Sequence, residues 1–118
     1  MKRILIGLVA LSAIAVSFLV PATAHAYTYY GAIAVARSGA MGWGLNYGSE
    51  SDAESAALDQ CGYSDCSVLT TFFHCGAIDY SPSTGDYTGG RGDSIAEAEN
   101  SAHWYSDSYT ERWACNGS

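Results

Sequence analysis

The tripeptide Gly31-Ala32-Ile33 recurs 45 positions later as Gly76-Ala77-Ile78. The same offset carries Ser49 onto Ser94, Asp52-Ala53-Glu54 onto Glu97-Ala98-Glu99, and Ala57 onto Ala102. Blocks that match in order at one spacing mark two copies of a single supersecondary unit. Whatever the first copy folds into, the second must be able to fold into as well.

Each copy opens on an alternating run, Tyr29 to Ala36 and Gly76 to Tyr80, which suits a strand with one small-residue face. Turns at Ser38-Gly39 and Ser83-Thr84-Gly85 lead into second strands, Met41 to Tyr47 and Tyr87 to Gly90. In the first of these, Trp43, Leu45 and Tyr47 share one face and Gly42, Gly44 and Asn46 the other. Ser49 and Ser94 stand three residues before Asp52 and Glu97, the spacing of a capping box at a helix start. Helices are expected over Glu50–Gln60 and Ile95–Tyr105, with inward stripes Ala53, Ala57, Cys61 and Ile95, Ala98, Ala102. Stripes this small can lie close against a strand face of glycines. Last strands are expected at Ser67–Phe73 and Tyr109–Ala114, with about five residues fewer between helix and strand in copy two.

The fold class expected is therefore α+β: a two-layer, tandem β-β-α-β repeat with pseudo-twofold symmetry, its mixed or antiparallel sheets packed by two helices. Residues 1–26 read as a signal peptide, with a basic start, an apolar run from Ile4 to Val20, a break at Pro21 and small residues at Ala24 and Ala26. No stable membrane anchor is expected after cleavage. That leaves residues 27–118 as one domain, copy one over 27–75 and copy two over 76–118. Of the five basic residues only Arg37, Arg91 and Arg112 follow the signal, against all twelve carboxylates. Such a surface repels phosphate backbones, so nucleic acid is excluded as a partner, while a cationic protein is compatible.

All four cysteines lie in the exported part, where they are free to oxidise. Four cysteines allow three pairings, and the repeat selects one. Cys61 and Cys66 flank the helix-to-strand loop of copy one and have no counterparts in copy two, so they are expected to be bonded to each other. Cys75 and Cys115, read as equivalent positions at the two last strands, form the second bond.

Taken together, "YGAIAVARSGAMGWG", "SDAESAALDQC", "CGYSDCSVLTTF", "CGAI" and "WACNG" resemble a family of small exported actinobacterial proteins, the domain of unknown function 4189. The resemblance covers nearly the whole exported chain and is marked in the mycobacterial members; "DYTGGRGDS" departs from the pattern. It implies secretion and, for some pathogen members, action on host cells. It implies no catalytic residues.

The residues offer no assembled catalytic group. His74 beside Cys75 is the raw material of a thiolate nucleophile, yet neighbours on a strand face opposite ways. Glu99, His103 and Asp107 at helical spacing could present two carboxylates and an imidazole to zinc or to a proton transfer, but no second histidine lies at ligand spacing. Arg91-Gly92-Asp93 spells an integrin-type tripeptide on an expected loop tip, and Gly92-Asp93-Ser94 lacks the partners of a serine hydrolase. The nine tyrosines and three tryptophans exceed what an alanine-lined core can hold. Trp43 and Trp113 can fill the interface between copies; Tyr63, Tyr80, Tyr87, Tyr105 and Tyr109 are the expected partner-binding residues. No cofactor or metal is expected. The functional expectation is a secreted, non-enzymatic interaction protein acting on host or neighbouring-cell proteins. The alternatives are a periplasmic or cell-wall hydrolase inhibitor and a small hydrolase using Glu99 and His103.

Overall fold

The structure, a computed structural model, describes residues 28–117; the expected signal peptide lies outside them. The described elements run β1 (Tyr30–Val35), β2 (Met41–Tyr47), α1 (Glu50–Cys61), β3 (Ser67–Phe72), β4 (Cys75–Ser81), β5 (Asp86–Gly92), α2 (Ile95–Ala102) and β6 (Tyr109–Cys115). They form two three-stranded sheets with the same strand order, β2-β1-β3 and β5-β4-β6. Every pairing is antiparallel, so neither sheet is mixed. Each unit is two layers, helix on sheet, and the units stack sheet against sheet. The layers therefore run α1, first sheet, second sheet, α2.

Alternation along β1 and β4 builds this stack. Ala32, Ala34 and Ala36 point to one side and bury against Ala53, Ala57 and Cys61 of α1. Ile33 and Val35 point to the other side and meet Ile78, Phe72 and Ala114 between the sheets. Cys75 and Ala77 repeat the helix-facing pattern under Ala98 and Ala102. Glycine makes the close helix approach possible. A β-carbon on Gly44 would stand 2.6 Å from Ala53 O, and one on Gly90 would stand 2.6 Å from Ala98 O and overlap Ala102 N.

Both helix starts are capped by serine. Ser49 Oγ accepts from Asp52 N at 3.2 Å and Ser94 Oγ from Glu97 N at 3.2 Å. Glu97 also reaches back to accept from Asp93 N at 2.9 Å. α1 ends at Gly62, whose φ of 81° is the left-handed geometry of a helix stop.

The helices differ by one turn, and here the structure corrects the sequence reading. α2 ends at Ala102 instead of Tyr105, so the residues absent from copy two come out of the helix and the connection to β6 is not shortened. Register shows the compensation. Ala34 pairs with Gly42 and Val68 in the first sheet, where Asp79 pairs with Thr88 and Thr110 in the second. Thr88 thus occupies the place of Gly42, and its hydroxyl donates to Ala102 O at 2.7 Å, closing the end of the shorter helix. In copy one α1 continues over Gly42, where a β-carbon would overlap Ala57 O and Cys61 N.

The cysteines pair as Cys61–Cys66 and Cys75–Cys115. The ground for the second bond needs correcting. Cys75 opens β4, so the bond lies within the second sheet, across from Cys115, and copy two starts at Cys75 instead of residue 76. The first sheet has Tyr30 and Phe73 at the corresponding places, one residue beyond the Gly31–Phe72 pair, with ring centroids 5.3 Å apart.

Chain-entropy arithmetic gives about 2 kcal/mol for the short loop closed by Cys61–Cys66 and about 4 kcal/mol for the long one closed by Cys75–Cys115. Cys115→Ser is expected to melt well below Cys66→Ser in thermal unfolding; equal midpoints would refute the ordering. Gly42→Ala and Gly90→Ala are each expected to cost about 1–3 kcal/mol by overpacking. Gly48→Ala, with nothing within 4 Å of its β-carbon position, is the neutral control in denaturant titration.

Candidate functional site

The Cys75–Cys115 end of the molecule gathers side chains that the core does not use. The link between β3 and β4 is Phe73-His74, and it projects as a ridge with Phe73 54% exposed. On one side lies a hollow of about 460 Å³ lined by Thr28, Tyr29, Phe73, His74, Asn116 and Gly117. On the other lies one of about 350 Å³ lined by Phe72, Phe73, His74, Arg91, Gly92 and Asp93. Tyr29 is 46% exposed at the first hollow.

Two asparagines hold this end in shape. Asn116 Nδ2 donates to Phe73 O at 2.6 Å, and Asn116 Oδ1 accepts from Asn46 N at 2.8 Å. Asn46 Oδ1 in turn accepts from Gly117 N at 2.6 Å. Asn46 has φ 65°, a left-handed conformation that asparagine tolerates better than most residues. One residue before Asn116, the disulfide fixes β6 to β4. The exposed aromatics thus sit on a backbone tied from β2, β3, β4 and β6.

Of the five tyrosines singled out from sequence, three come together elsewhere. Tyr87, Tyr80 and Tyr109 are direct cross-strand partners and form a ladder over the second sheet, with centroids 4.8 and 6.0 Å apart. Desolvation and the nearby Glu111 carboxylate push the Tyr87 and Tyr109 hydroxyls above the ordinary phenol value. Tyr105 is tied by its hydroxyl to Asp86 Oδ2 at 3.0 Å, which raises its pKa too. Tyr63 stands apart, exposed on the Cys61–Cys66 loop. Trp43 lies between the sheets with Arg112 4.6 Å over its ring, whereas Trp113 is half-exposed on the outer, helix-side face. The Phe73 end escaped notice because Phe73 reads as the last residue of a strand. The signal was present: the 45-residue offset sets Cys75 on Tyr30, which places copy two's start at Cys75 and leaves Phe73-His74 as the link.

The acid and histidine constellations do not assemble as the sequence suggested. Because α2 ends at Ala102, His103 leaves the helix, and its Nδ1 turns toward Asp79 Oδ2 at 3.6 Å instead of joining Glu99. Asp79 is 1% exposed, and its other oxygen accepts from Thr110 Oγ1 at 2.9 Å. This is the orienting half of a triad, but the hydroxyl is on the carboxylate side and not on the imidazole. No group of three metal-ligating side chains occurs among the described residues. Cys75 is bonded, and His74 faces Asp93 at 3.8 Å. Arg91 and Gly92 belong to β5, with Arg91 Nη1 donating to Thr71 O at 3.1 Å, so the Arg-Gly-Asp tripeptide is not on a loop tip.

The strap from His103 to Ser108, which lies over Asp79 and Ser81, has a structural task. Asp107 accepts from Ser81 Oγ at 2.7 Å and from Ser83 N at 2.8 Å, and these two bonds hold its carboxyl below the ordinary aspartate value. A lowered folded-state pKa contributes stability that is complete above the unfolded value and is lost as pH falls through the folded one. The stability advantage over Asp107→Asn is therefore expected to be full above about pH 4 and to shrink on acidification. Denaturant titrations across that range check it, and an advantage independent of pH would refute the assignment.

A family model for a domain of unknown function, DUF4189, matches residues 30–115. Protein Rv1269c of Mycobacterium tuberculosis is 40% identical over 94 residues, covering 79% of this chain and 74% of that protein. Uncharacterized protein Rv1813c of the same organism is 39% identical over 89 residues, covering 75% and 61%. An NMR structure of Rv1813c superposes with a TM-score of 0.64 at 37% identity, over 75% of this chain and 76% of that one. With that match spanning all the described strands and both helices, this chain belongs to the DUF4189 family.

Proposed function

We propose that this chain is an exported, non-enzymatic interaction protein that binds a protein of a host or neighbouring cell through its Phe73 end. The observation that carries the reading is a half-exposed phenylalanine whose backbone carbonyl is fixed by Asn116 and whose link is followed at once by a disulfide. An aromatic held rigid at a surface pays little ordering entropy on binding, which is the property of an interface anchor. The flanking hollow of about 460 Å³ is large enough for an aromatic side chain from a partner. The acidic surface, with three arginines against twelve carboxylates, favours encounter with a cationic protein.

Replacing Phe73 with a photo-reactive phenylalanine analogue and irradiating in host-cell lysate, and separately in envelope fractions of the producing cell, tests the reading. A discrete crosslinked host protein, competed away by excess unlabelled protein but not by excess unlabelled Phe73→Asp whose thermal midpoint is retained, is the expected result. Crosslinks confined to envelope hydrolases would replace it with the inhibitor reading; absence of any discrete product from position 73 would remove the docking site.

A further inference from the structure

Resting on that docking reading, we infer that the ridge takes an extended protein segment carrying one aromatic side chain flanked by arginine or lysine. Phe73 lines three neighbouring hollows, and they differ in character. The hollow toward Tyr29 and Asn116 has two aromatic side chains, Tyr29 and Phe73, in its wall and no carboxylate among the described residues. The hollow across the ridge ends at Asp93, and a smaller one of about 40 Å³ is bounded by Glu50, Tyr30 and Arg91. An aromatic anchor fits the first, and the carboxylates stand to one side of it.

The charges are available to a partner. Asp93 has its side chain 85% exposed, and among the described residues its carboxylate meets the His74 imidazole at 3.8 Å, a contact too long to be a hydrogen bond. Glu50 sits exposed in the first turn of α1. Against these two carboxylates the described residues of the ridge set one cation, Arg91, whose Nη1 donates to Thr71 O at 3.1 Å, so a net negative charge remains. A segment bringing its own guanidinium supplies what the ridge lacks, since a planar fork suits an exposed carboxylate. An acidic segment would meet Asp93 and Glu50 as like charges. The two demands fall within one short extended stretch, because the hollows share Phe73 and His74 as a common wall.

The test uses the disulfide-bonded exported chain and three synthetic peptides: Ser-Arg-Phe-Arg-Gly-Ser, the same with both arginines replaced by glutamate, and the same with phenylalanine replaced by alanine. The arginine–phenylalanine peptide is expected to shift the NMR resonances of Phe73, His74 and Asp93. Its affinity is expected to fall about three- to fivefold in Asp93→Asn and to weaken as salt is raised from about 0.05 to about 0.5 M. The other two peptides are expected to bind at least tenfold more weakly. Equal binding of the glutamate peptide, or shifts confined to the Tyr80–Tyr87–Tyr109 ladder, would overturn the assignment. If the arginine–phenylalanine peptide does not bind while the photo-reactive residue at position 73 still captures a discrete protein, the segment class is wrong and the docking site stands. If both fail, the docking reading falls with it.

Discussion

A β-carbon on Gly31 or on Gly76 would overlap the ring of Phe72. These glycines are equivalent positions on the two central strands, so one phenylalanine fills the space vacated on both sheets at once. Phe72 is 2% exposed, and Ile33 and Ile78 close over it from the two sides. Each residue of the recurring Gly-Ala-Ile then has one duty: glycine admits the ring, alanine lies against the helix, and isoleucine meets the opposite sheet. A small domain has little surface to bury, and close approach on both faces of each sheet is how this one fills its interior with side chains mostly no larger than alanine.

The stack then fixes which strand edges meet. β3 runs beside β5, where Thr70 Oγ1 donates to Gly90 O at 3.1 Å and Gly89 lies against Leu69 O. β2 runs beside β6, where Arg112 covers Trp43. Exchanging the two units carries one seam into the position of the other, yet the chemistry differs: the first is backbone against hydroxyl, the second cation against ring. Arg112 pairs with Ile78 across the sheet and stays exposed, its guanidinium lying over Trp43 at the edge of the stack.

Much of this was legible in the chain. The offset of 45, the serine caps and the alternation gave both helix starts and every strand, because each rests on a local rule that the two copies obey alike. What misled was the length of α2. Ile95 to Tyr105 keeps a helical pattern, and nothing local to it says that Thr88, in a neighbouring strand, will close the helix at Ala102. The same non-local effect hid the polar row. Ala34, Ala36, Gly42 and Val68 become Asp79, Ser81, Thr88 and Thr110 in register, and that substitution is visible only once strand pairing is known. Copy one covers its row with a helical turn and a disulfide; copy two covers it with a strap held by Asp107, His103 and Tyr105.

That division of labour bears on where function can reside. A buried Asp79 with a histidine beside it invites a catalytic reading, but its neighbours are the groups that replace a missing helical turn. The opposite end has no such account. Phe73 and Tyr30 stand where copy two has Cys75 and Cys115, so an aromatic pair and a cystine solve the same closure in two ways. The pair solves it at a disadvantage, because more than half of Phe73 remains in water. Burying an aromatic ring of this size from that state is worth on the order of 1 kcal/mol or more, a gain open to a partner and not to the fold. That surplus lies on the ridge between two hollows, and it is the observation on which the docking reading proposed for the Phe73 end rests.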